Sequence, residues 1–377
     1  MEVITQNCTA AIPHSLKEHF PLAETLIFDI ETTGFSACNS QLYLIGCIYF
    51  EEESPKIRQW FAETPADESL LITEFFHFIA NYHYLLHYNG SGFDIPYLTQ
   101  KAEFLELKGS FLHMQSIDLY KILSPFRTLL KLENIKQKTV EHYLGITRED
   151  LYQGGELIHI YHQYLKSPSE ENHNLLLLHN HDDICGLLLL TPLLAFIDIT
   201  KEQLQFIGVE LCDYQSFEGI TKKEAYLSFS LPSPLPKPVS FAKEGFYLSM
   251  QGTRGRLRIP TYMGELKFFY EDYKNYYYLP LEDTAIHKSV AEYVDKDYRQ
   301  RAKANNCYNR KSSVFLPQFS RKISPCFQKD YKDKNFYFEA STENLEHTMV
   351  MKEYLWDILS FLMKNNIPKK LGNNSPT

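Results

Sequence analysis

At 377 residues, 44% apolar and 23% charged, the chain is globular rather than disordered and long enough for about two domains with cores of their own. A net charge of −9 excludes a protein that coats nucleic acid uniformly, while leaving room for local basic patches. The seven cysteines are scattered and never form Cys-x-x-Cys, which excludes zinc-finger spacing and fits reduced thiols in a cytoplasm.

The N-terminus has no secretory signal pattern, and the longest apolar stretch, 184–199, is too short to span a membrane and holds Pro192 and Asp198. A soluble, cytoplasmic protein without a membrane partner is expected. Residues 1–24 read as an irregular lead-in with one helical turn near Leu16–Phe20. Strands are expected at 25–31, Leu42–Phe50 and Ile57–Phe61, the last two joined by a turn at 51–55 as part of an antiparallel meander. Leu70, Leu71, Phe75, Phe78 and Ile79 have helical spacing within 66–82. Tyr84–Tyr88 reads as a fourth strand, Ile95–Leu107 as a helix and Ile117–Tyr120 as a short fifth strand. Helices follow at Thr139–Leu144, Glu156–Leu165 and Glu170–Phe196. Three strands followed by alternating helix and strand make an α/β layer with a mixed sheet.

Residues 231–239 carry prolines at every second position, which predicts a polyproline-like linker rather than a central strand. Beyond it, 245–280 reads as strand-rich. Ile286, Val290, Val294 and Tyr298 share one face of an expected helix over 283–304, and a final helix is expected over Glu346–Met363. The domain plan is therefore an α/β domain over 1–200, a connecting segment over 201–240, a smaller α+β domain over 241–364 and a disordered tail over 365–377.

The most informative string is Phe28-Asp-Ile-Glu-Thr-Thr-Gly-Phe35. Asp29 and Glu31 are two apart on a strand, hence on one face, and paired carboxylates repel unless something compensates them. A divalent cation with oxygen ligands is one such compensation. Two later acids can join them. Asp94 follows the fourth strand, where ligands of open α/β sheets bind, although an N-cap is its bland role. Asp183 lies in His179-Asn-His-Asp-Asp183, inside a helix with apolar flanks; His179 and Asp183 are four apart and share a helix face.

Asp29 and Glu31, Asp94 and Asp183, in that order, resemble the three exonuclease motifs of the DEDD (DnaQ-like) superfamily, which has a ribonuclease-H-like fold. The resemblance is closer to its YprB-like ribonuclease-H-like branch, through Ser116-Ile-Asp-Leu-Tyr120, Lys138-Thr-Val-Glu141, Arg148, Gly154-Gly-Glu156 and the His-Asn-His-Asp-Asp run. It covers about residues 25–197. It implies a mixed five-stranded sheet flanked by helices, in which the four carboxylates bind two Mg²⁺ or Mn²⁺ ions and phosphodiester bonds of DNA or RNA are cut from a 3′ end. The superfamily base is a tyrosine four residues, or a histidine five residues, before the last aspartate. Here His179 stands four before Asp183, which leaves the base open among His179, His181 and a metal-bound hydroxide.

Thr32, Thr33, Gly34, Asn89 and Phe93 are placed to touch a terminal nucleotide. Asp118 reads as structural. Residues 299–322 hold seven Lys/Arg and no acid, so Arg299, Arg310 and Lys311, interleaved with aromatics, are expected to track a nucleic-acid backbone. The reading that follows is a metal-dependent 3′–5′ exonuclease. Its alternatives are an inactive nucleic-acid-binding protein of the same fold, a structure-specific endonuclease, and a phosphotransferase, for which Glu31 replaces the expected second aspartate.

Overall fold

A computed structural model describes residues 1–149, 152, 154–200 and 203–363. The chain divides into two units, Met1–Lys201 with Leu235–Lys237, and Glu202–Pro234 with Pro238–Thr377. The expected tail over 365–377 lies outside the described residues.

The first unit runs through strand Glu2–Asn7 (β1), helix His14–His19 (α1), and strands Thr25–Thr32 (β2), Leu42–Glu51 (β3) and Ser54–Phe61 (β4). Helix Glu68–Ile79 (α2), strand Tyr84–His87 (β5), helix Asp94–Phe104 (α3), strand Gln115–Asp118 (β6) and helix Leu119–Leu123 (α4) follow. Helices Gln137–Leu144 (α5), Gly154–Lys166 (α6), Glu170–Leu189 (α7) and Ala195–Thr200 (α8) complete it. The strands form one mixed sheet in the order β1-β4-β3-β2-β5-β6. β2, β3 and β4 pair antiparallel, whereas β5 joins β2 and β6 joins β5 in parallel.

The sheet therefore has six strands, not the expected five. The sixth is β1, antiparallel to β4 at the edge, where five of its six side chains are exposed and only one is half-buried. With so little apolar burial it leaves no alternation to read. β3, in contrast, is buried along nearly its whole length, because helices cover both faces of the sheet. On one face Phe75 of α2 stacks on Phe28 at 5.9 Å and meets Trp60 edge-on at 5.6 Å. The other face, holding Asp29, is covered by α7.

The second unit is built mainly of strands: Gln205–Gln215 (β7), Thr221–Lys243 (β8), Phe246–Pro260 (β9), Tyr262–Phe269 (β10), Tyr276–Leu279 (β11) and Thr284–His287 (β12). Then come helix Lys288–Ala291 (α9), strands Gln300–Arg301 (β13), Tyr308–Gln318 (β14), Phe327–Gln328 (β15) and Phe336–Glu339 (β16), and helices Thr342–Glu346 (α10) and Thr348–Met363 (α11). β10, β14, β16 and β15 close into a small barrel around Leu266, Phe315 and Phe327. The remaining strands form the sheets β12-β11-β13 and β7-β8-β9.

Two expectations fail in this unit. The proline-rich stretch is part of β8, a strand in the middle of its sheet, rather than a polyproline linker. Alternate residues of a strand share a face and a lateral N–H direction. Pro232, Pro234, Pro236 and Pro238 are all exposed while Leu231, Ser233, Leu235 and Val239 are buried, so the missing donors all fall on one edge. Pairing of β8 with β7 ends at Ser230, just before the first of these prolines. The helix expected over 283–304 is instead β12, the four-residue α9 and β13. Its supposed apolar face is not buried: Val290 is 56% and Tyr298 55% exposed.

Candidate active site

The register of the sheet sets the position of Asp29. Asp29 of β2 pairs with Gly46 of β3, and Gly46 with Gln59 of β4, so the three form one row across the sheet. Asn180 of α7 lies on that row. Its Nδ2 donates to Asp29 Oδ2 at 3.3 Å, and its Oδ1 accepts from Gln59 Nε2 at 3.0 Å. Gln59 Nε2 also donates to the Leu177 carbonyl at 2.9 Å, fixing the helix one turn earlier. A Cβ on Gly46 would lie 1.8 Å from Asn180 Oδ1, so only glycine lets α7 come this close. Asn180 is fully buried and thus holds both the Asp29 carboxylate and the helix that carries His179 and Asp183.

Glu31, two residues on, shares the face of Asp29, and the ladder to β3 is irregular just after it. His179 Nε2 lies 3.2 Å from Asp183 Oδ2 and 3.7 Å from Glu31 Oε1. Glu31, His179 and Asp183 each bring one ligand-type atom within 4.8 Å of the others. Asp94, at the first turn of α3, is buried. Four acids from three segments of chain therefore face one another. Burial, and then the charges of Asp183, Asp94 and Glu31, push the Asp29 carboxyl well above the usual carboxylate range, with the Asn180 amide pulling the other way. Asp94 rises to about 7, first through burial and further through Asp118 and Asp183, against the backbone N–H groups of Asp94 and Ile30.

These residues fit divalent metal ions. The donors are carboxylate oxygens, the set that Mg²⁺ and Mn²⁺ accept, with one imidazole beside them. The crowding that raises Asp29 and Asp94 is what a cation would relieve.

Arg148 borders the cluster, and the sequence places it only within a resemblance. Its guanidinium donates to both oxygens of Glu141 and to Asp183 Oδ1. Gln137 Nε2 donates to Glu141 Oε1 at 2.9 Å and to the Asp183 carbonyl at 2.8 Å. Glu141 is fully buried against Gly186, where a Cβ would lie 2.2 Å from Glu141 Oε1. One Asp183 oxygen is thus held by Arg148, and the other lies 3.2 Å from His179 Nε2. Charges so buried are retained only when paired and hydrogen-bonded.

His181 faces elsewhere. Its Nδ1 lies 3.3 Å from Asp182 Oδ1 and its Nε2 3.7 Å from Cys185 Sγ. Asp118 organises the loop after β5: it accepts from the Asn89 N–H at 2.9 Å, from the Ser91 hydroxyl, and from the Lys121 N–H as the cap of α4. Asn89 is held in the left-handed region at φ 60°. His87 is neutral there, lowered to about 4 chiefly by burial. Its Nδ1 accepts from the Gly90 N–H at 3.0 Å, which leaves Nε2 as the donor to Ser116 Oγ at 2.7 Å.

Of the residues expected to touch a nucleotide, Thr32 and Thr33 shape the turn after β2. Thr32 Oγ1 donates to the Gly34 carbonyl at 2.8 Å, and Thr33 Oγ1 accepts from the Gln41 N–H at 2.9 Å. Phe93 is half-buried and meets Phe35 edge-on at 5.9 Å. Phe35, 93% exposed, is the more available ring; an aromatic directly after a strand-end glycine was its signal. In the second unit Arg310 lies 3.4 Å from Glu265 and 3.5 Å from Asp283, Lys311 lies 2.6 Å from Glu339, and Arg299 donates to the Ala291 carbonyl. The charge counted as available in 299–322 is in part balanced locally.

Residues 26–195 match the model of a family described as RNase_H superfamily. Similar solved structures include the family B DNA polymerase from the hyperthermophilic archaeon Pyrobaculum calidifontis, at 17% identity and TM-score 0.40 over 68% of this chain and 35% of that one. A product-bound exonuclease I is 10% identical, with TM-score 0.34 over 55% of this chain and 58% of that one. A zinc-bound complex of E. coli exonuclease I with single-stranded DNA is 12% identical, with TM-score 0.31 over 56% of this chain and 54% of that one. The chain spans less than two thirds of the length of each. No curated protein matches it. Among the described residues no helix is long and apolar enough to cross a membrane. Residues 26–195 form a ribonuclease-H-like domain, and this domain carries Asp29, Glu31, Asp94, His179 and Asp183.

Proposed function

We propose that the cluster at the end of β2 is the active site of a metal-dependent nuclease of the DEDD type, YprB-like branch, that hydrolyses phosphodiester bonds of DNA or RNA from the 3′ end. The observation that carries this reading is the mutual crowding of Asp29, Glu31, Asp94 and Asp183, which raises Asp29 well above the carboxylate range, next to a buried imidazole. Asp29, Glu31, Asp94 and Asp183 would hold two Mg²⁺ or Mn²⁺ ions, which when bound supply Lewis-acid stabilisation of the phosphate and a lowered pKa for water.

The chain's own residues do the rest. Asn180 keeps the Asp29 carboxylate aimed along the sheet row, and Arg148 holds Asp183 from behind. His179, through Nε2, takes the proton of the attacking water, with Asp183 Oδ2 3.2 Å away to stabilise the imidazolium. Phe35 and Phe93 offer rings on which a terminal base can stack.

The test is a comparison of single-stranded oligonucleotides labelled at the 5′ end, with free or blocked 3′ ends, in Mg²⁺, Mn²⁺ or EDTA. A ladder shortening from the free 3′ end, absent in EDTA, is expected. Cutting of a circular strand would reassign the site to an endonuclease, and no cutting of any DNA or RNA would overturn the reading.

A further inference from the structure

β9 doubles back on itself. Ser249 Oγ donates to the Arg256 carbonyl at 3.5 Å, although seven residues of extended strand would span about 23 Å. The turn falls at Gly252, whose φ of +54° suits glycine. On the returning arm Gly255, Leu257 and Ile259 are buried, so Arg254, Arg256 and Arg258 share the outer face. The arm is pressed onto Phe229, since a Cβ on Gly255 would lie 2.1 Å from that ring.

The three arginines differ in their partners. Arg258 lies 3.6 Å from Glu224. Arg254 and Arg256 are exposed, and neither has a carboxylate partner among the described residues; the Arg256 guanidinium rests on the Tyr226 ring at 4.2 Å. In a chain with 47 acids and 38 bases, two adjacent guanidiniums without acidic partners mark a place for an anion from outside. Beside them opens a cleft of about 450 Å³, walled also by Ile207, Val239 and Met250. Ile207 is 64% exposed.

We infer that this cleft in the second unit is a nucleic-acid site that binds a single strand, with successive phosphates on Arg254 and Arg256 and a base against Ile207. Residues two apart on a strand advance about 7 Å, comparable to the step between phosphates of an extended single strand. Guanidiniums match phosphate oxygens in a bidentate manner, and the apolar wall accepts a base of any sequence. The choice of ligand rests on the nuclease reading, because a mononucleotide shares the same chemistry and only a strand engages both arginines in turn.

The experiment is binding of the full chain, in EDTA, to a fluorescent single-stranded oligonucleotide across a salt series. For Arg254→Ala/Arg256→Ala the Kd is expected to rise about tenfold. The slope of log K against log salt should fall by about 1.4, from about 0.7 per phosphate contact. Arg254→Lys/Arg256→Lys should keep the slope, and Arg254→Glu/Arg256→Glu should weaken binding beyond the alanine pair. An alanine pair that melts like wild type and keeps both Kd and slope overturns the inference, as does adenosine monophosphate competing as well, per phosphate, as the oligonucleotide. Strand binding through these arginines by a protein that hydrolyses nothing keeps this inference and removes the nuclease reading. Asp29-dependent hydrolysis with an unaffected alanine pair removes only this inference.

Discussion

Replacing Asp94 with asparagine should stabilise the metal-free protein in alkaline solution and leave it nearly unchanged in acid. In the folded chain the Asp94 carboxyl is buried and lies in the field of Asp118 and Asp183, which moves it from an ordinary 3.8 to about 7. At about 1.4 kcal/mol per pH unit this corresponds to about 4 kcal/mol between the protonation states. The sign follows from proton binding. The unfolded carboxyl loses its proton near 3.8 and the folded one only near 7. Stability from this group is therefore present in acid, is lost as pH rises through that window, and stays lost above it. Asparagine carries no such cost but accepts its backbone donors less strongly, an offset of about 1 kcal/mol. The expected gain is about 3 kcal/mol at pH 8, falling below about 1 kcal/mol at pH 4. Urea unfolding in EDTA, in a Trp356→Phe background so that Trp60 of β4 is the one reporter, measures this. Magnesium at a hundredfold its Kd should then stabilise the wild-type site by about 2.7 kcal/mol and the Asp94→Asn protein far less. A neutral or destabilising effect at pH 8, or equal gains at both pH values, would refute the crowding of charge on which the site assignment depends.

His179→Ala should lower turnover by roughly 10²–10⁴ with little change in metal affinity, and His181→Ala far less, since His181 contacts Asp182 and Cys185 instead; single-turnover rates decide, and the reverse ranking would move the base. Gly46→Ala should force Asn180 off the sheet row, costing about 1–3 kcal/mol of stability and most of the activity; a variant with wild-type melting and rate would show that the clamp is not needed. Arg148→Ala should destabilise by about 3 kcal/mol, because it leaves the buried Glu141 carboxylate unpaired. Arg148→Ala/Glu141→Gln should recover much of that loss if the pair is the cause.

The carboxylates were legible because their geometry is local. Period two on a strand places Asp29 beside Glu31, and period 3.6 on a helix places His179 beside Asp183. What joins them is not local. Asn180 reaches Asp29 only because Gly46, far earlier in the chain, leaves space, and a lone glycine in an apolar strand announces no such role. β1 escaped because its strand character comes from pairing with β4 and not from a buried face. The false helix over 283–304 came from a real i, i+4 spacing of apolar side chains, two of which are more than half exposed. The prolines of β8 look like a break in sequence, yet their even spacing is what a strand with one unpaired edge tolerates. The cations of β14 look unpaired because their acids arrive on other strands, Glu265 on β10 and Glu339 on β16.

Hydrolysis by the Asp29→Asn protein is the decisive measurement, because the Asp29 carboxyl feels all three other acids of the cluster. A labelled single strand would be incubated with wild type and with this variant over a magnesium titration and in EDTA, with melting curves taken in parallel. Wild type should cut only with the metal, and Asp29→Asn should abolish nearly all turnover at every magnesium concentration while melting no lower than wild type. Wild-type turnover by the variant, or undiminished cutting in EDTA, would contradict a metal-dependent nuclease centred on these carboxylates.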